Sequence, residues 1–119
     1  MADDVLGELT RAADGLLYPS DTDAPFEVHA WPAGPADAQA ALLANAPPPP
    51  GAKIQEVLPE EFFGELTDDP RFQTLRHTLQ TSLTGLHILR VGQVNIAIYL
   101  LGQLPDGRWA AIKTVSVES

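Results

Sequence analysis

The C-terminal third reads Leu86-His87-Ile88-Leu89-Arg90-Val91, then Val94-Asn95-Ile96-Ala97-Ile98-Tyr99-Leu100-Leu101, then Trp109-Ala110-Ala111-Ile112-Lys113-Thr114-Val115-Ser116-Val117. These runs are rich in β-branched and aromatic residues and repeat with period two, which predicts three strands. Gly92-Gln93 and Leu104-Pro105-Asp106-Gly107 are short links, and Asp-Gly is a favoured hairpin turn. In the middle run Val94, Ile96, Ile98 and Leu100 share one face, while Ala97, Tyr99 and Leu101 take the other. Both faces are apolar, so helices are expected to flank the sheet.

Working towards the N-terminus, Asp69-Pro70 is a cap followed by a first-turn proline, and Phe72, Leu75, Leu79 and Leu83 form a helical stripe expected to end near Gly85. Pro59 opens a helical turn in which Glu60 and Glu61 favour the N-terminal dipole, and Lys53 to Val57 reads as a short strand. Asn45-Ala46-Pro47-Pro48-Pro49-Pro50-Gly51 is too proline-rich for helix or central strand and reads as a stiff polyproline II spacer. Asp37 starts a short helix through Ala44, and residues 26–31 alternate as a strand up to Pro32. Residues 18–25 carry two prolines and read as an exposed acidic loop. From Asp4 onward Val5, Leu6, Leu9, Ala12, Ala13 and Leu16 recur at three- and four-residue spacing, a helix closed by Gly15. The expected class is α+β, a single domain over residues 1–119 with a mainly antiparallel sheet of about four strands.

The chain has 119 residues, 45% hydrophobic and 19% charged, as in an ordinary soluble globular domain. The acidic start Met1-Ala2-Asp3-Asp4 and the lack of a long apolar run point to a cytoplasmic protein with no membrane association. Without cysteine there is no disulfide, thiolate nucleophile or cysteine-based metal site. A formal net charge of −9 opposes direct binding of nucleic acid, which relies on Lys and Arg to release counterions. The charge is uneven. Residues 1–69 hold 14 acidic and two basic side chains, a balance of −12, whereas residues 70–119 hold two and five, a balance of +3. Such a distribution serves solubility, or steers a basic partner.

Catalytic patterns are missing from the sequence. His29, His77 and His87 lack the spacing of a metal pair and read as single surface or edge histidines. Asp21 and Asp23 begin like a calcium loop, but the sixth and twelfth positions are Phe26 and Pro32 rather than glycine and glutamate. There is no phosphate-binding glycine loop and no serine elbow, and the adjacent carboxylates Glu60-Glu61 and Asp68-Asp69 diverge instead of flanking a substrate. The expectation is a binding protein rather than an enzyme, with no cofactor and no metal of its own.

Ala13-Asp14-Gly15-Leu16-Leu17-Tyr18 with Pro25-Phe26-Glu27-Val28 before Trp31, and Leu89-Arg90-Val91-Gly92 through Ile98-Tyr99 to Gly102, Gly107 and Thr114-Val115, together resemble the nuclease A inhibitor-like family. The resemblance covers both ends of the chain, about half its length. It implies a three-layer α-β-α sandwich and a monomeric, non-enzymatic inhibitor of a magnesium-dependent, sugar-non-specific endonuclease. It also implies that an acidic residue in the loop after the Gly-Leu-Leu motif, together with the C-terminal residue, approaches the nuclease's catalytic metal. The matching positions are Asp21 and Ser119, with Ser20, Thr22 and Asp23 beside the first, and Glu60, Glu61 and Glu65 as a wider acidic surface. Asp21 is one methylene shorter than the family's glutamate, and Ser119 stands in place of a threonine. A site built to hold phosphate beside a hard cation also accepts carboxylate oxygens, so such a protein would act as a substrate mimic. The alternative is an acidic interaction module of the same fold with a non-nuclease partner. A third reading, a metal-dependent hydrolase using Asp21, Asp23 and Glu27, lacks an orienting histidine.

Overall fold

A computed structural model describes residues 2–19, 23–66, 69–93 and 95–117. In chain order its elements are α1 (Ala2–Ala13), β1 (Leu17–Tyr18), β2 (Ala24–Pro25), β3 (Glu27–Trp31), α2 (Ala38–Asn45), β4 (Ile54–Val57), α3 (Pro59–Gly64), α4 (Pro70–Ser82), β5 (Thr84–Val91), β6 (Asn95–Gln103) and β7 (Trp109–Val117). Among the described residues the fold is α+β, with four helices, one five-stranded antiparallel sheet and one two-stranded sheet.

The three strands of the C-terminal third form the middle of the larger sheet, whose order is β3-β7-β6-β5-β4. The links between them are as short as their residues suggest. In the turn before β7, the Leu104 amide donates to the Arg108 carbonyl at 2.7 Å and the Gly107 amide to the Leu104 carbonyl at 2.9 Å. Gly107 takes φ +93° there, a conformation that a Cβ would strain. Register pairs Leu100 with Ile88 on one side and Ile112 on the other, so alternate residues of three strands stack into common rows.

Those rows divide the core. Ile88, Ile96, Ile98, Leu100, Ala110 and Ile112 pack with Leu9 and Ala13 of α1, Phe62 and Phe63 of α3, and Phe72, Leu75 and Leu79 of α4. Leu89, Val91, Tyr99, Leu101, Trp109 and Ala111, which alternate with them, pack with Trp31 and with Ala38, Ala41 and Leu42 of α2. Helix α2 begins where Asp37 caps it, its carboxylate accepting the Ala40 amide at 2.8 Å. Helix α4 begins in the same way at Asp69, with Pro70 in its first turn. The proline run contains neither helix nor strand. It closes in a turn where the Ala52 amide donates to the Pro49 carbonyl at 3.1 Å, and Pro47, Pro48 and Pro49 line a depression against Val91, Ala97 and Tyr99.

Three expectations need correction. The larger sheet has five strands rather than about four, because β3 and β4 both pair fully along its edges. Residues 18–25 are not simply a loop. Tyr18 pairs with Ala24 and Leu17 with Pro25 in a second, two-stranded sheet, where proline is tolerated because an edge position needs no inward N–H. Gly85 does not end a helix. Helix α4 stops at Ser82, and Gly85, at φ +66°, sits inside β5 at the register shift between Thr84 and His87, a bulge.

Candidate functional site

Sequence reasoning points to the segment after Gly15-Leu16-Leu17, and the fold brackets that segment tightly. Tyr18 ends β1 and stacks on Phe62 of α3, with ring centroids 5.5 Å apart and planes within 6° of parallel. Phe26, just after β2, meets the edge of Tyr18 at 6.4 Å and packs edge-on against Phe72 of α4 at 6.0 Å. Aromatic pairs in these geometries add to the stability gained from burial alone. Both stems of the β1–β2 hairpin are therefore gripped by rings from α3 and α4.

The hairpin also touches the last strand. Glu27 opposes Lys113 in the β3–β7 ladder, so the chain preceding Glu27 runs beside the C-terminal half of β7. There the Thr114 hydroxyl donates to the Ala24 carbonyl at 3.3 Å. The segment leading into residues 20–22 and the strand leading into residues 118–119 thus lie along one edge of the molecule. Ser20, Asp21, Thr22 and Ser119 themselves lie outside the described residues.

Two depressions adjoin the β1 side of the hairpin. One, of about 230 Å³, is lined by Leu17, Pro19, Asp23, Glu65, Leu66, Asp69 and Phe72. The other, of about 280 Å³, is lined by Tyr18, Gln55, Glu56, Val57, Glu61, Phe62, Glu65 and Arg90. Glu65 borders both, so Asp23, Glu61 and Glu65, chosen from the sequence as an acidic surface, share one face. Glu61 and Glu65 stand four residues apart where the chain leaves α3, which keeps them on the same side. Glu60 is exposed but lines neither depression, since its neighbouring position on the helix turns it away.

Sequence reasoning did not assign Leu17, Asp69, Glu56 and Arg90 to this surface. Leu17 is half exposed, at 50%, on the rim of an acidic depression. In the sequence Asp69 reads as a helix cap and as one of an adjacent, diverging carboxylate pair. Hydrogen bonds from the Arg71 side chain and amide hold its carboxyl below the usual carboxylate range, and the same pairing raises the Arg71 guanidinium. Glu56 meets the His87 ring nitrogen Nδ1 at 3.1 Å. No local signal predicts that pair, because 31 residues separate its members and only the β4–β5 pairing joins them. His29 and His77 are exposed, on β3 and α4. Among the described residues no three His, Cys, Asp or Glu side chains converge to hold a metal ion. Nor, among them, is any helix long and apolar enough to cross a membrane.

The architecture and this edge define a small α+β domain that presents acidic side chains beside an aromatic-braced hairpin. The chain belongs to the nuclease A inhibitor-like family, whose model, described as nuclease A inhibitor-like protein, matches residues 3–119. That match takes in the middle of the chain as well as its two ends. No match was found among curated proteins.

Proposed function

We propose that this protein inhibits a magnesium-dependent, sugar-non-specific endonuclease by occupying its active site. Membership of an inhibitor family supports the general role. The observation that carries the specific reading is the edge itself, where the stem of the Asp21 loop is bonded to the strand that leads to Ser119. In this reading a carboxylate from Asp21 or Ser119 takes the place of a substrate phosphate beside the nuclease's metal. The protein needs no metal of its own. Asp23, Glu61 and Glu65 border depressions beside the hairpin stem and would raise the association rate with a basic nuclease surface, an effect that salt screens. In this reading the protein is a three-layer α-β-α sandwich that acts as a monomer in the cytoplasm, and the packing of α2 against one face of the sheet and of α1, α3 and α4 against the other supports the layering.

The test is the rate of nucleic-acid cleavage by a family-type endonuclease, measured with increasing protein at several salt concentrations. Inhibition that weakens with salt, and that Asp21→Ala reduces further, is the expected result. Capture of a non-nuclease protein, with no inhibition at micromolar concentration, would instead favour an acidic interaction module on the same fold.

A further inference from the structure

We infer that Thr114 is a positioning residue whose buried hydroxyl locks the β1–β2 stem onto β7, so that Asp23 beside that stem and the C-terminal half of β7 keep one fixed separation when they meet a partner. The inference rests on the inhibitor reading above and names a residue through which that edge is set.

The argument begins with alternation along β7. Ala110 and Ile112 point into the core shared with α1, α3 and α4, and Thr114 and Ser116 continue the same face. Thr114 is 1% exposed and Ser116 2%, and they are the polar residues buried among the described residues. A strand in an apolar core would ordinarily carry Val or Ile at such positions, because burying a hydroxyl without a partner is unfavourable. The change from apolar to hydroxyl side chains coincides with a change of neighbour. Up to Lys113 the flanking chain is β3, which satisfies β7 through a regular ladder. Beyond it the neighbour is the hairpin, whose two strands pair with each other over only Leu17–Pro25 and Tyr18–Ala24. Backbone groups of so short a ladder that its own pairing does not satisfy need partners from outside it, and the Ala24 carbonyl is within reach of β7. Thr114 supplies one to Ala24.

The rings of Phe62 and Phe72 grip the hairpin through apolar contact, which resists separation but tolerates sliding. The Thr114 bond is directional and fixes Ala24 at one position along β7. Asp23, the next residue towards the loop, lies on the rim of the first depression. A shift of the hairpin along β7 would therefore displace Asp23 relative to the C-terminal half of the strand. Binding that depends on two anchors at fixed separation loses affinity when one of them moves.

Thr114→Val keeps the shape and β-branching while exchanging hydroxyl for methyl, and Thr114→Ser keeps the hydroxyl. Two readouts are needed: hydrogen exchange of the 17–25 segment and inhibition of a family-type endonuclease, with thermal unfolding as a control for folding. The bond at 3.3 Å is long for a hydroxyl donor, so the expected loss is about three- to tenfold in each readout for Thr114→Val. Thr114→Ser should stay near wild type in both. In an Asp21→Ala background the effect of Thr114→Val on inhibition should largely disappear, because a positioning residue acts through the loop it positions. Wild-type exchange and inhibition in Thr114→Val, or equal losses in Thr114→Ser, would overturn the inference. If the wild-type protein inhibits no nuclease, the inhibitor reading fails. The exchange comparison still decides whether Thr114 locks the hairpin.

Discussion

Phe62→Ala tests whether the hairpin is held by the layer of rings beneath it. Phe62 is 5% exposed, lies parallel to Tyr18 and meets Phe63 edge-on with centroids 5.0 Å apart. Truncating a buried phenylalanine to alanine costs about 3–5 kcal/mol, the lost transfer energy plus that of the cavity. Phe62 stands at the edge of its cluster, so the hairpin can partly collapse into the space, and about 3–4 kcal/mol is expected. A domain of this size has a stability of roughly 6–18 kcal/mol, so the variant still folds at 25 °C. Phe62→Leu keeps most of the volume and should cost about 1–1.5 kcal/mol. Urea unfolding followed by fluorescence and circular dichroism measures both, with an unchanged m-value as the check that two-state behaviour persists. Leu58, 50% exposed just before α3, is the internal comparison, and its alanine variant should lie within about 0.5 kcal/mol of wild type. Limited proteolysis within residues 18–25 should accelerate in Phe62→Ala beyond the global loss of stability. A cost below about 1.5 kcal/mol for Phe62→Ala, or equal costs for Ala and Leu, would refute the reasoning.

Asp37→Ala removes the cap of α2 and should lower stability by about 1 kcal/mol in the same urea assay. Its inhibition should be unchanged, because α2 packs on the opposite face of the sheet from α3 and α4. Asp69 and Asp106 both titrate below their usual value of 3.8: Asp69 because the Arg71 side chain and amide hydrogen-bond it, Asp106 because the Arg108 amide and side chain do the same. A carboxyl depressed in the folded state contributes stability that is present above its unfolded pKa and is lost as pH falls through the folded value. The double variant Asp69→Asn, Asp106→Asn should therefore lie closest to wild type in urea midpoint at the acid end of a scan from pH 6 to pH 2.5. A gap that widens towards acid would contradict the pairing.

The central sheet could be read from the sequence because its determinants are local. Period-two runs from Leu86 to Val117, each bounded by glycine or Asp-Gly, specify strands and their order in a meander without long-range information. The caps at Asp37 and Asp69 were legible for the same reason. What escaped depended on distant neighbours. Two residues on either side of the acidic loop form strands only because each pairs with the other and packs on Phe62 and Phe72, which lie well over thirty residues further along. Gly85 looks like a helix stop by composition, yet it serves as a bulge because β5 must keep its register with β6.

The same division applies to the acidic site. Its acids, Asp23, Glu60, Glu61 and Glu65, were visible in the sequence as part of an acidic first half. The convergence of Glu61 and Glu65 with Asp23 required the packing of α3 against the hairpin. Leu17, noted in the sequence only as part of the Gly15-Leu16-Leu17 stretch of the family resemblance, is an exposed apolar side chain on the rim of that surface. Thr114 carries a signal that can be recognised afterwards, a hydroxyl in phase with Ala110 and Ile112 at the point where that face of the strand changes from apolar residues to Thr114 and Ser116. The reason for it lies some 90 residues away, at Ala24.

The central claim is that this edge occupies a nuclease active site in place of substrate. The most direct measurement is the steady-state kinetics of a family-type, magnesium-dependent endonuclease over a range of nucleic-acid concentrations at several fixed concentrations of the protein. The account predicts competition, with apparent KM rising with inhibitor and kcat regained at saturating substrate. Unchanged kinetics at micromolar protein, or a fall in kcat that substrate cannot reverse, would contradict it.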